Sequence, residues 1–296
     1  MTKLLQGKVA VVTGATRGCG RGIACMLGEA GTTVYCTGRS VRGKPATANR
    51  PETIEETAEM VSARGGIGIP VQVDHTSQEQ VKALFDRVKI DQEGRLDILV
   101  NDVWGGDELT EWDKPFWEHS LDKGLRMQER AVYSHIITSH YGVSLMVERG
   151  QGLIIEVTDG DSFSYRGTLF YDLAKVSVIR LAFAMAEDLR KRHPGGITAV
   201  ALTPGYLRSE AMLDGFGVTE ANWQEAVKKD PDFAESETPF YIGRAVVALA
   251  SDPKVSDKSG KALATWHLAS EYGFTDIDGR QPNWAKYFSE KYGSAV

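Results

Sequence analysis

The sequence predicts a doubly wound α/β fold, in which helices cover both faces of one parallel sheet. Short, nearly continuous apolar runs recur along the chain, as expected of strands that are buried on both faces. Longer amphipathic stretches separate these runs, so strands and helices alternate. With 296 residues, 42% of them hydrophobic, the chain can bury one large core. We therefore expect a single domain over residues 1–296.

The individual elements follow from local composition. Runs rich in β-branched and apolar residues predict strands at 8–13 (KVAVVT), 32–37 (TTVYCT), 67–73 (IGIPVQV), 96–101 (LDILVN), 152–158 (GLIIEVT) and 196–202 (GITAVAL). The stretches between and after them predict helices at about 18–30, 52–64, 77–92, 124–149, 170–192 and 239–250.

Three remaining segments are predicted to lie outside the regular sheet and helices. Residues 39–52 are polar and contain two prolines, which predicts a long loop. Residues 203–238 are interpreted as a loop with short helices. Because ligands bind beyond the carboxyl ends of the strands in such a sheet, we expect 203–238 to form a substrate loop. The C-terminal extension at 266–296 is predicted to serve packing or a subunit contact.

Composition argues against several classes of protein. A net charge of −6 is atypical of nucleic-acid binders, which usually carry a basic face. The chain has neither a run of 18 apolar residues nor an N-terminal apolar segment with a cleavage site, so we expect no membrane association and a cytoplasmic location. Cys19, Cys25 and Cys36 are expected to be buried thiols. The histidines lack metal-ligand spacing, so no metal site is expected.

A glycine-rich turn follows the first predicted strand, in the segment TGATRGCGRG. Glycines in a G-x-x-x-G-x-G pattern permit a sharp turn and bring main-chain N–H groups close to a pyrophosphate at a helix N-terminus. The pattern predicts a dinucleotide site formed by Thr13, Gly14, Arg17, Gly18, Cys19 and Gly20.

The end of the second strand bears on the choice of dinucleotide. It has Gly38 where an NAD-binding protein usually has an acidic residue, and Arg39 follows. A guanidinium can pair with a 2′-phosphate, whereas a carboxylate would repel it. Arg17, Arg42 and Lys44 add positive charge nearby. The pattern favours NADP(H) over NAD(H), although solvated loop cations would look the same.

Tyr171 and Lys175 form the strongest candidate for chemistry. A four-residue spacing places both side chains on one face of a helix. Tyrosine has an ordinary pKa near 10, and a neighbouring ammonium lowers that value, so lysine can make tyrosine usable for proton transfer. Chance occurrence of this pair in a helix is the alternative. Its position after the fifth strand, in a chain with a glycine turn, favours the catalytic interpretation.

Together these features resemble the short-chain dehydrogenase/reductase family, whose fold is the Rossmann fold. The resemblance extends from Lys8 to about residue 270. Its pieces occur in the expected order: TGATRGCG, Asp74 after the third strand, Asn101 at the end of the fourth, Tyr171 with Lys175, and TPGYLRS at 203–209. Whole-chain features, including YGFTDIDGR at 272–280, look most like the family's dehydrogenase/reductase member 1 branch.

The resemblance implies hydride transfer between nicotinamide C4 and a carbonyl or alcohol carbon, with an imine or amine as the alternative substrate. Tyr171 would exchange a proton with the substrate oxygen. Lys175 would hold the nicotinamide ribose and lower the pKa of Tyr171. A small-molecule substrate is implied, and a homodimer or homotetramer is expected, as is common in the family.

The resemblance also assigns cofactor contacts. Asp74 would accept a hydrogen bond from the adenine amino group, although it could instead cap the following helix. Asn101 would line the cofactor channel. Thr203, Pro204 and Gly205 would shape the nicotinamide pocket.

The sequence departs from the family pattern at three places. NDVW replaces the usual N-N-A-G, so only Asn101 matches. Asp159 falls on the substrate-orienting serine, with Thr158 and Ser162 as alternative hydroxyls. Glu129 is the nearest counterpart of the family's helix asparagine. Asp159 could be protonated and donate like serine, turn away, or attract a cationic substrate such as an iminium. We assign Asp159 a direct substrate contact.

Two questions remain open from the sequence. The altered serine and asparagine permit a second function, a catalytically silent NADP(H)-binding sensor or partner subunit. The substrate is also open, because the large residues near the site could be pocket wall or core. They are Trp104, Trp112, Phe116, Trp117, Tyr206 and Met212.

Overall fold

Seven parallel strands form one sheet in the order β3-β2-β1-β4-β5-β6-β7. The computed structural model describes residues 3–44, 46 and 50–293. The outer ends of the predicted domain, and residues 45 and 47–49 of the predicted loop, therefore lie outside the described residues. The strands are β1 (Val9–Val12), β2 (Thr33–Gly38), β3 (Ile67–Gln72), β4 (Ile98–Asn101), β5 (Gly152–Val157), β6 (Ile197–Thr203) and β7 (Ala262–Ala264).

Helices cover both faces of this sheet. They are α1 (Gly18–Glu29), α2 (Ile54–Ala63), α3 (Gln78–Asp91), α4 (Leu121–Gln128), α5 (Ser134–Arg149), α6 (Leu169–Arg192), α7 (Glu210–Phe216), α8 (Pro239–Ser251), α9 (Thr265–Tyr272) and α10 (Trp284–Tyr292). Apolar residues of α1, α2 and α8 pack on one face. Those of α3, α5 and α6 pack on the other.

Side chains that alternate between the two faces of the sheet contribute to two hydrophobic cores, one on each face. In β1, Ala10 and Val12 face the first core, whereas Val9 and Val11 face the second. Because successive side chains of a strand point to opposite faces, a strand buried on both faces is apolar throughout. The strand order reverses between β1 and β4, and connections from these two strands leave on opposite faces. This arrangement opens a crevice at the carboxyl ends of the strands.

The predicted α/β fold is confirmed, with local differences. All six predicted strands are present, and β7 was missed because three residues are too few to make a recognisable apolar run. The predicted helix 124–149 is wrong as a single element, since a π-helical turn at Glu129–Tyr133 separates α4 from α5. The tail contains α9 and α10. The three cysteines are free and buried, as expected.

Side-chain caps explain where several helices begin. The Thr53 side chain accepts a hydrogen bond from the Glu56 N–H at α2, and Ser77 does the same for Gln80 at α3. Ser77, rather than Asp74, is therefore the N-cap of α3. In the part of the chain that the structure describes, every helix is too short or too polar to span a lipid bilayer.

Candidate active site

A cavity of about 1310 Å³ lies at the carboxyl ends of the strands. It extends from the turn between β1 and α1 to helix α10. Most of the predicted site residues line it: Gly14, Arg17, Gly18, Cys19, Arg39, Asp74, Asp159, Tyr171, Lys175, Pro204 and Gly205. Segments that are distant in sequence therefore converge at the place where the fold opens a crevice.

The glycine turn at the base of the cavity requires its glycines. Gly14 has φ +64°, and an added Cβ would lie 2.3 Å from the main-chain oxygen of Asp102. Gly18 has φ +57°, which also disfavours a side chain. Gly20 and Thr13 lie behind the turn. Thr13 is fully buried, and its hydroxyl accepts a hydrogen bond from the Asp102 N–H at 3.0 Å. Thr13 and Gly20 thus shape the turn rather than line the cavity.

A carboxylate already contacts the N-terminus of α1. The N–H of Gly18 donates to Glu210 Oε2 at 2.8 Å. Glu210 is the first residue of α7, and its Oε1 lies 3.8 Å from Arg21 Nε. An anion at this position is what the N–H groups and the dipole of a helix N-terminus favour. The turn therefore fits a pyrophosphate, and the Glu210 carboxylate occupies the position where a phosphate oxygen would accept from the Gly18 N–H.

Basic groups converge at the predicted adenosine end. Arg39 lines the cavity, with Nη1 4.0 Å from Asp74 Oδ2. Arg130 lines the same region and donates from Nη1 to the Gly105 main-chain oxygen at 2.9 Å. Burial, together with the positive charge of Arg39, lowers the pKa of Arg130. The two positively charged guanidiniums repel each other, and a phosphate group bound between them would relieve that repulsion. This end of the cavity therefore fits the 2′-phosphate of NADP(H).

The neighbouring positions refine the sequence interpretation. A Cβ at Gly38 would lie 2.7 Å from Thr16 Oγ1, so packing also favours glycine there. Arg42, which was expected to add charge nearby, instead pairs with Glu59 at 2.6 Å on the surface. Asp74 lines the cavity and accepts from Thr76. Burial opposes ionisation of Asp74, but the Thr76 hydrogen bonds outweigh it and lower its pKa.

Asn101 differs from the expectation that it lines the cofactor channel. It is fully buried, and its Nδ2 donates to Ser139 Oγ and Glu156 Oε1, both at 2.8 Å. Glu156 is its register partner on β5. Glu156 Oε2 also shares a hydrogen bond with His135 Nδ1 at 2.7 Å. Asn101 therefore satisfies a buried carboxylate behind the cavity wall, while His135 lines the cavity itself.

Asp159 is the group that meets the tyrosine. The hydroxyl of Tyr171 donates to Asp159 Oδ2 at 2.7 Å. The Thr158 hydroxyl instead donates to the Lys175 main-chain oxygen at 2.8 Å. Ser162 is exposed and donates to Ser164. Of the three alternatives for the family serine, only Asp159 contacts Tyr171.

The charges around Tyr171 differ from the family expectation. Burial, together with the charge and hydrogen bond of Asp159, raises the pKa of Tyr171 well above its ordinary value. Burial lowers the pKa of Lys175, although Asp159 and Asp102 oppose that effect. The Lys175 ammonium lies 3.9 Å from the centre of the Trp104 ring and 5.3 Å from that of Tyr171. Burial and Asp159 together therefore outweigh the lowering of the Tyr171 pKa that was expected from Lys175.

Aromatic side chains form much of the wall beside Tyr171. Trp104 and Trp112 contact its ring, with centroid separations of 5.2 and 5.0 Å. Tyr206 and Met212 also line the cavity, as the sequence allowed. Phe116 and Trp117 do not belong to this wall: they are exposed, and their rings meet edge to face with centroids 5.2 Å apart.

The π-helical turn decides which side chains enter the cavity from the helix after β4. Glu129, the predicted counterpart of the family asparagine, is exposed. Arg130 and Ala131 line the cavity instead. Arg130 and His135 also line the cavity and were not predicted from the sequence. The only sequence signal near them is Glu156, a charged residue within the apolar run GLIIEVT, which indicates a buried partner.

Helix α10 supplies a wall that the sequence did not predict. Trp284 and Phe288 line the cavity, and Trp284 packs against Tyr206 with ring centroids 5.5 Å apart. The carboxylate of Asp232 fixes this helix: it accepts from Tyr287 at 2.9 Å and from Tyr292 at 2.7 Å, and it also pairs with Lys291. The tail was expected to serve packing or a subunit contact. It also closes one side of the site.

The fold and this cavity define a dinucleotide-binding α/β protein, and comparison with known proteins identifies the family. A family model described as short chain dehydrogenase matches residues 8–215. The chain is 38% identical over 296 residues to dehydrogenase/reductase SDR family member 1 of Mus musculus, covering 99% of this chain and 90% of that protein. Identity to the Homo sapiens protein of the same name is 36% over 283 residues, covering 95% and 86%.

A solved structure supports the same fold. A short chain dehydrogenase from Mycobacterium thermoresistibile matches with a TM-score of 0.77 and 22% identity, covering 99% of this chain and 94% of that one. The chain belongs to the short-chain dehydrogenase/reductase family, in the branch of family member 1. It is therefore an NAD(P)-dependent oxidoreductase.

Proposed function

We propose that this protein uses NADP(H) to transfer a hydride between nicotinamide C4 and a carbonyl or alcohol carbon, with Tyr171 as the general acid or base. The observation that carries the proposal is the cavity itself. The glycine turn, the Tyr171 hydroxyl and the Lys175 ammonium line one continuous space. A dinucleotide that spans it would bring its reactive ring to the tyrosine.

The cofactor is proposed to be held mainly by the glycine turn and the two arginines. The N–H groups at Gly18 and its neighbours would receive the pyrophosphate, after Glu210 is displaced. Arg39 and Arg130 would pair with the 2′-phosphate, which favours NADP(H). Asp74 would meet the adenine, and Pro204 and Gly205 would border the nicotinamide.

The protein's own groups are proposed to bind, orient and protonate the substrate. When bound, the nicotinamide supplies or accepts a hydride at C4. The Tyr171 hydroxyl would release its hydrogen bond to Asp159 and donate a proton to the substrate oxygen. The Lys175 ammonium would hold the ribose. Residues 203–238 and α10 would form the substrate side of the site and exclude water.

The test is a titration combined with a turnover assay. We expect NADPH to bind, and we expect a panel of ketones, aldehydes and imines to oxidise it. Tyr171→Phe should stop the reaction of carbonyl substrates without loss of NADPH binding, because only a hydroxyl is removed. NADPH oxidation that persists in this variant on a carbonyl substrate would assign the proton donor elsewhere.

A catalytically silent NADP(H)-binding protein is the second candidate. The raised pKa of Tyr171 and its hydrogen bond to Asp159 favour this alternative, because they oppose proton release. Tight NADPH binding with no turnover of any compound in the panel would support the silent protein.

We also propose a homo-oligomer. Several large apolar side chains are exposed along α4, the π-helical turn, α5 and α6: Leu121, Leu125, Tyr133, Ile136, Leu173 and Phe183. Burying them between subunits would remove apolar area from water. Light scattering coupled to size exclusion should give at least twice the monomer mass of 32.4 kDa; a monomer at micromolar concentration would contradict the proposal.

A further inference from the structure

The carboxylate of Asp159 is open toward the cavity. Its Oδ2 accepts from Tyr171, while its main-chain oxygen accepts from Arg166 Nε at 2.9 Å. Within the described part of the chain, Oδ1 accepts no hydrogen bond, and the carboxylate forms no ion pair within 4.0 Å. Asp159 is only partly exposed. A carboxylate in such a position is stabilised by a cationic donor.

Further acidic groups lie at the same end of the cavity. Asp107 and Asp161 line it beside Asp159, against the cations Lys175 and Arg166. Asp102 lies near Lys175, whereas four further charged lining groups belong to the glycine turn and the predicted adenosine end: Asp74, Arg17, Arg39 and Arg130. The cavity is therefore net acidic where the substrate would bind and net basic where the cofactor phosphates would bind.

The aromatic wall also suits a cation. Trp104 and Tyr171 already present their ring faces to the Lys175 ammonium. Trp112, Tyr206 and Trp284 offer further rings around the same space. Aromatic faces attract ammonium and iminium groups through the ring quadrupole, and the attraction grows when the cation is desolvated.

We propose that the preferred substrate carries a positively charged nitrogen at or next to its reacting carbon, held by Asp159 and the aromatic wall. This inference rests on the proposed function, because it concerns the substrate of the same hydride transfer. Two compounds share the required chemistry: an iminium, and a ketone with a neighbouring ammonium group.

The chemistry of an iminium fits this site. A hydride adds to the carbon of the C=N⁺ bond, the π-electron pair moves to nitrogen, and the product is a neutral amine while NADPH is oxidised to NADP⁺. No proton from Tyr171 is required in that step. With an amino ketone, Tyr171 must still donate a proton to the oxygen. Because hydride addition to an iminium removes the positive charge, Asp159 contributes mainly to binding, that is, to KM.

The test uses matched substrates of different charge. They are a cyclic iminium, the neutral cyclic ketone of the same ring size, an amino ketone and a keto acid of similar length, each assayed with NADPH. We expect kcat/KM for at least one of the two cations to exceed that of the neutral ketone by about tenfold or more. A preference for the neutral or anionic compound would overturn the inference.

Variants separate the charge of Asp159 from its shape. Asp159→Asn should raise KM for the preferred cation about tenfold, with kcat less affected, and should raise KM for the neutral ketone much less. Asp188→Asn, which removes the same charge from an exposed position on α6, serves as the control. Tyr171→Phe should still reduce the iminium but should no longer reduce the amino ketone, because only the ketone needs a proton from Tyr171. This variant therefore shows which of the two cations is the preferred substrate type. Equal losses for charged and neutral substrates in Asp159→Asn would refute the inference.

A binding measurement separates this inference from the proposed function. With NADP⁺ bound, pyrrolidinium should quench tryptophan fluorescence at concentrations about tenfold lower than cyclopentanol does, and Asp159→Asn should remove the difference. If cation and alcohol bind equally, the inference is wrong whatever the turnover. If pyrrolidinium binds selectively but no compound is reduced, the proposed oxidoreductase function fails instead.

Discussion

The cofactor end of the cavity is built mainly from main chain, whereas the substrate end is built mainly from side chains. At the cofactor end, Gly14 and Gly18 leave room for N–H groups to meet an anion, and Glu210 occupies one of them. At the substrate end, Asp159 and a set of aromatic rings surround Tyr171.

This difference explains which end follows its family. Main-chain contacts depend on glycines at fixed positions, because a Cβ at Gly14 would collide with the Asp102 main chain and the positive φ of Gly18 disfavours a side chain. Side-chain contacts can change without altering the fold. The glycine turn therefore keeps the family pattern, whereas the side chains around Lys175 and Tyr171 depart from it at Asp102, Trp104 and Asp159. Specific chemistry should be sought in those departures.

The largest effect is expected at the substrate end, from Tyr171→Phe. With a ketone substrate, kcat should fall about 10²–10⁴-fold, the usual contribution of a positioned acid or base. The Kd of NADPH should stay within about twofold, since the ring still packs against Trp104 and Trp112. Steady-state kinetics and cofactor titration measure the two quantities. Activity above about a tenth of the parent value would mean that a group other than Tyr171 donates the proton.

Asp102→Asn tests the departure beside Lys175. Burial raises the pKa of Asp102 from 3.8 to about 7, although Lys175 and His135 oppose this. The folded protein thus holds a proton that the unfolded chain releases near pH 4, so stability should fall as pH rises from about 4 to 7. Asparagine cannot ionise.

The expected gain from Asp102→Asn is about 2–4 kcal/mol at pH 8 and less at pH 5, since one pKa unit corresponds to about 1.4 kcal/mol. Denaturant unfolding at both pH values measures it. Asp86→Asn, at an exposed position on α3, is the control. A gain that does not depend on pH would attribute the effect to packing rather than to ionisation.

Arg39→Ala should weaken NADPH binding about tenfold to a hundredfold while leaving NADH binding little changed. A charge-assisted hydrogen bond contributes about 1.5–3 kcal/mol. Arg42→Ala is a matched control, because that guanidinium pairs with Glu59 on the surface. Titration of both dinucleotides gives the ratio. If Arg39→Ala leaves the ratio unchanged, Arg130 or another group selects the phosphate.

The sequence predicted the parts of the site that depend on local pattern. The glycine turn, Arg39, and Tyr171 with Lys175 lie within short segments that follow predicted strands, and the fold then brings them together. Arg130 could not be predicted, because the π-helical turn changes which side chains face the cavity. Trp284 lies far along the chain, and its position depends on tertiary contacts such as those of Asp232.

The prediction that the Asn101 side chain lines the cofactor channel was wrong, again because the side chain depends on a tertiary contact. Its position at the end of β4 is correct, but its side chain turns toward the buried carboxylate of Glu156 rather than toward the crevice. Leaving the buried Glu156 carboxylate without a hydrogen-bond donor would cost free energy, whereas the open cavity imposes no such cost on the Asn101 side chain. Predicting the direction of the Asn101 side chain would have required the register between β4 and β5.

Glu210→Gln should have the smallest effect and the opposite sign, tightening NADP(H) binding about twofold to fivefold. The Glu210 carboxylate accepts from Gly18 N–H at 2.8 Å, where the pyrophosphate should bind, and its charge would repel the incoming phosphates. Arg21 at 3.8 Å offsets part of that repulsion. An anion at a helix N-terminus contributes about 0.3–1 kcal/mol, so the pyrophosphate can displace the Glu210 carboxylate at a small free-energy cost. Removing that carboxylate should therefore increase NADP(H) affinity only modestly.

Fluorescence titration of NADPH in Glu210→Gln measures this gain, and Glu225→Gln, an exposed glutamate in the same segment after β6, is the control. A second readout is limited proteolysis near α7, which should increase when NADPH displaces Glu210 from Gly18 in the parent protein. Weaker NADPH binding in Glu210→Gln would show instead that Glu210 supports the binding-competent loop. Side chains from the substrate loop would then help to build the cofactor end, and the division between a main-chain end and a side-chain end would fail at this contact.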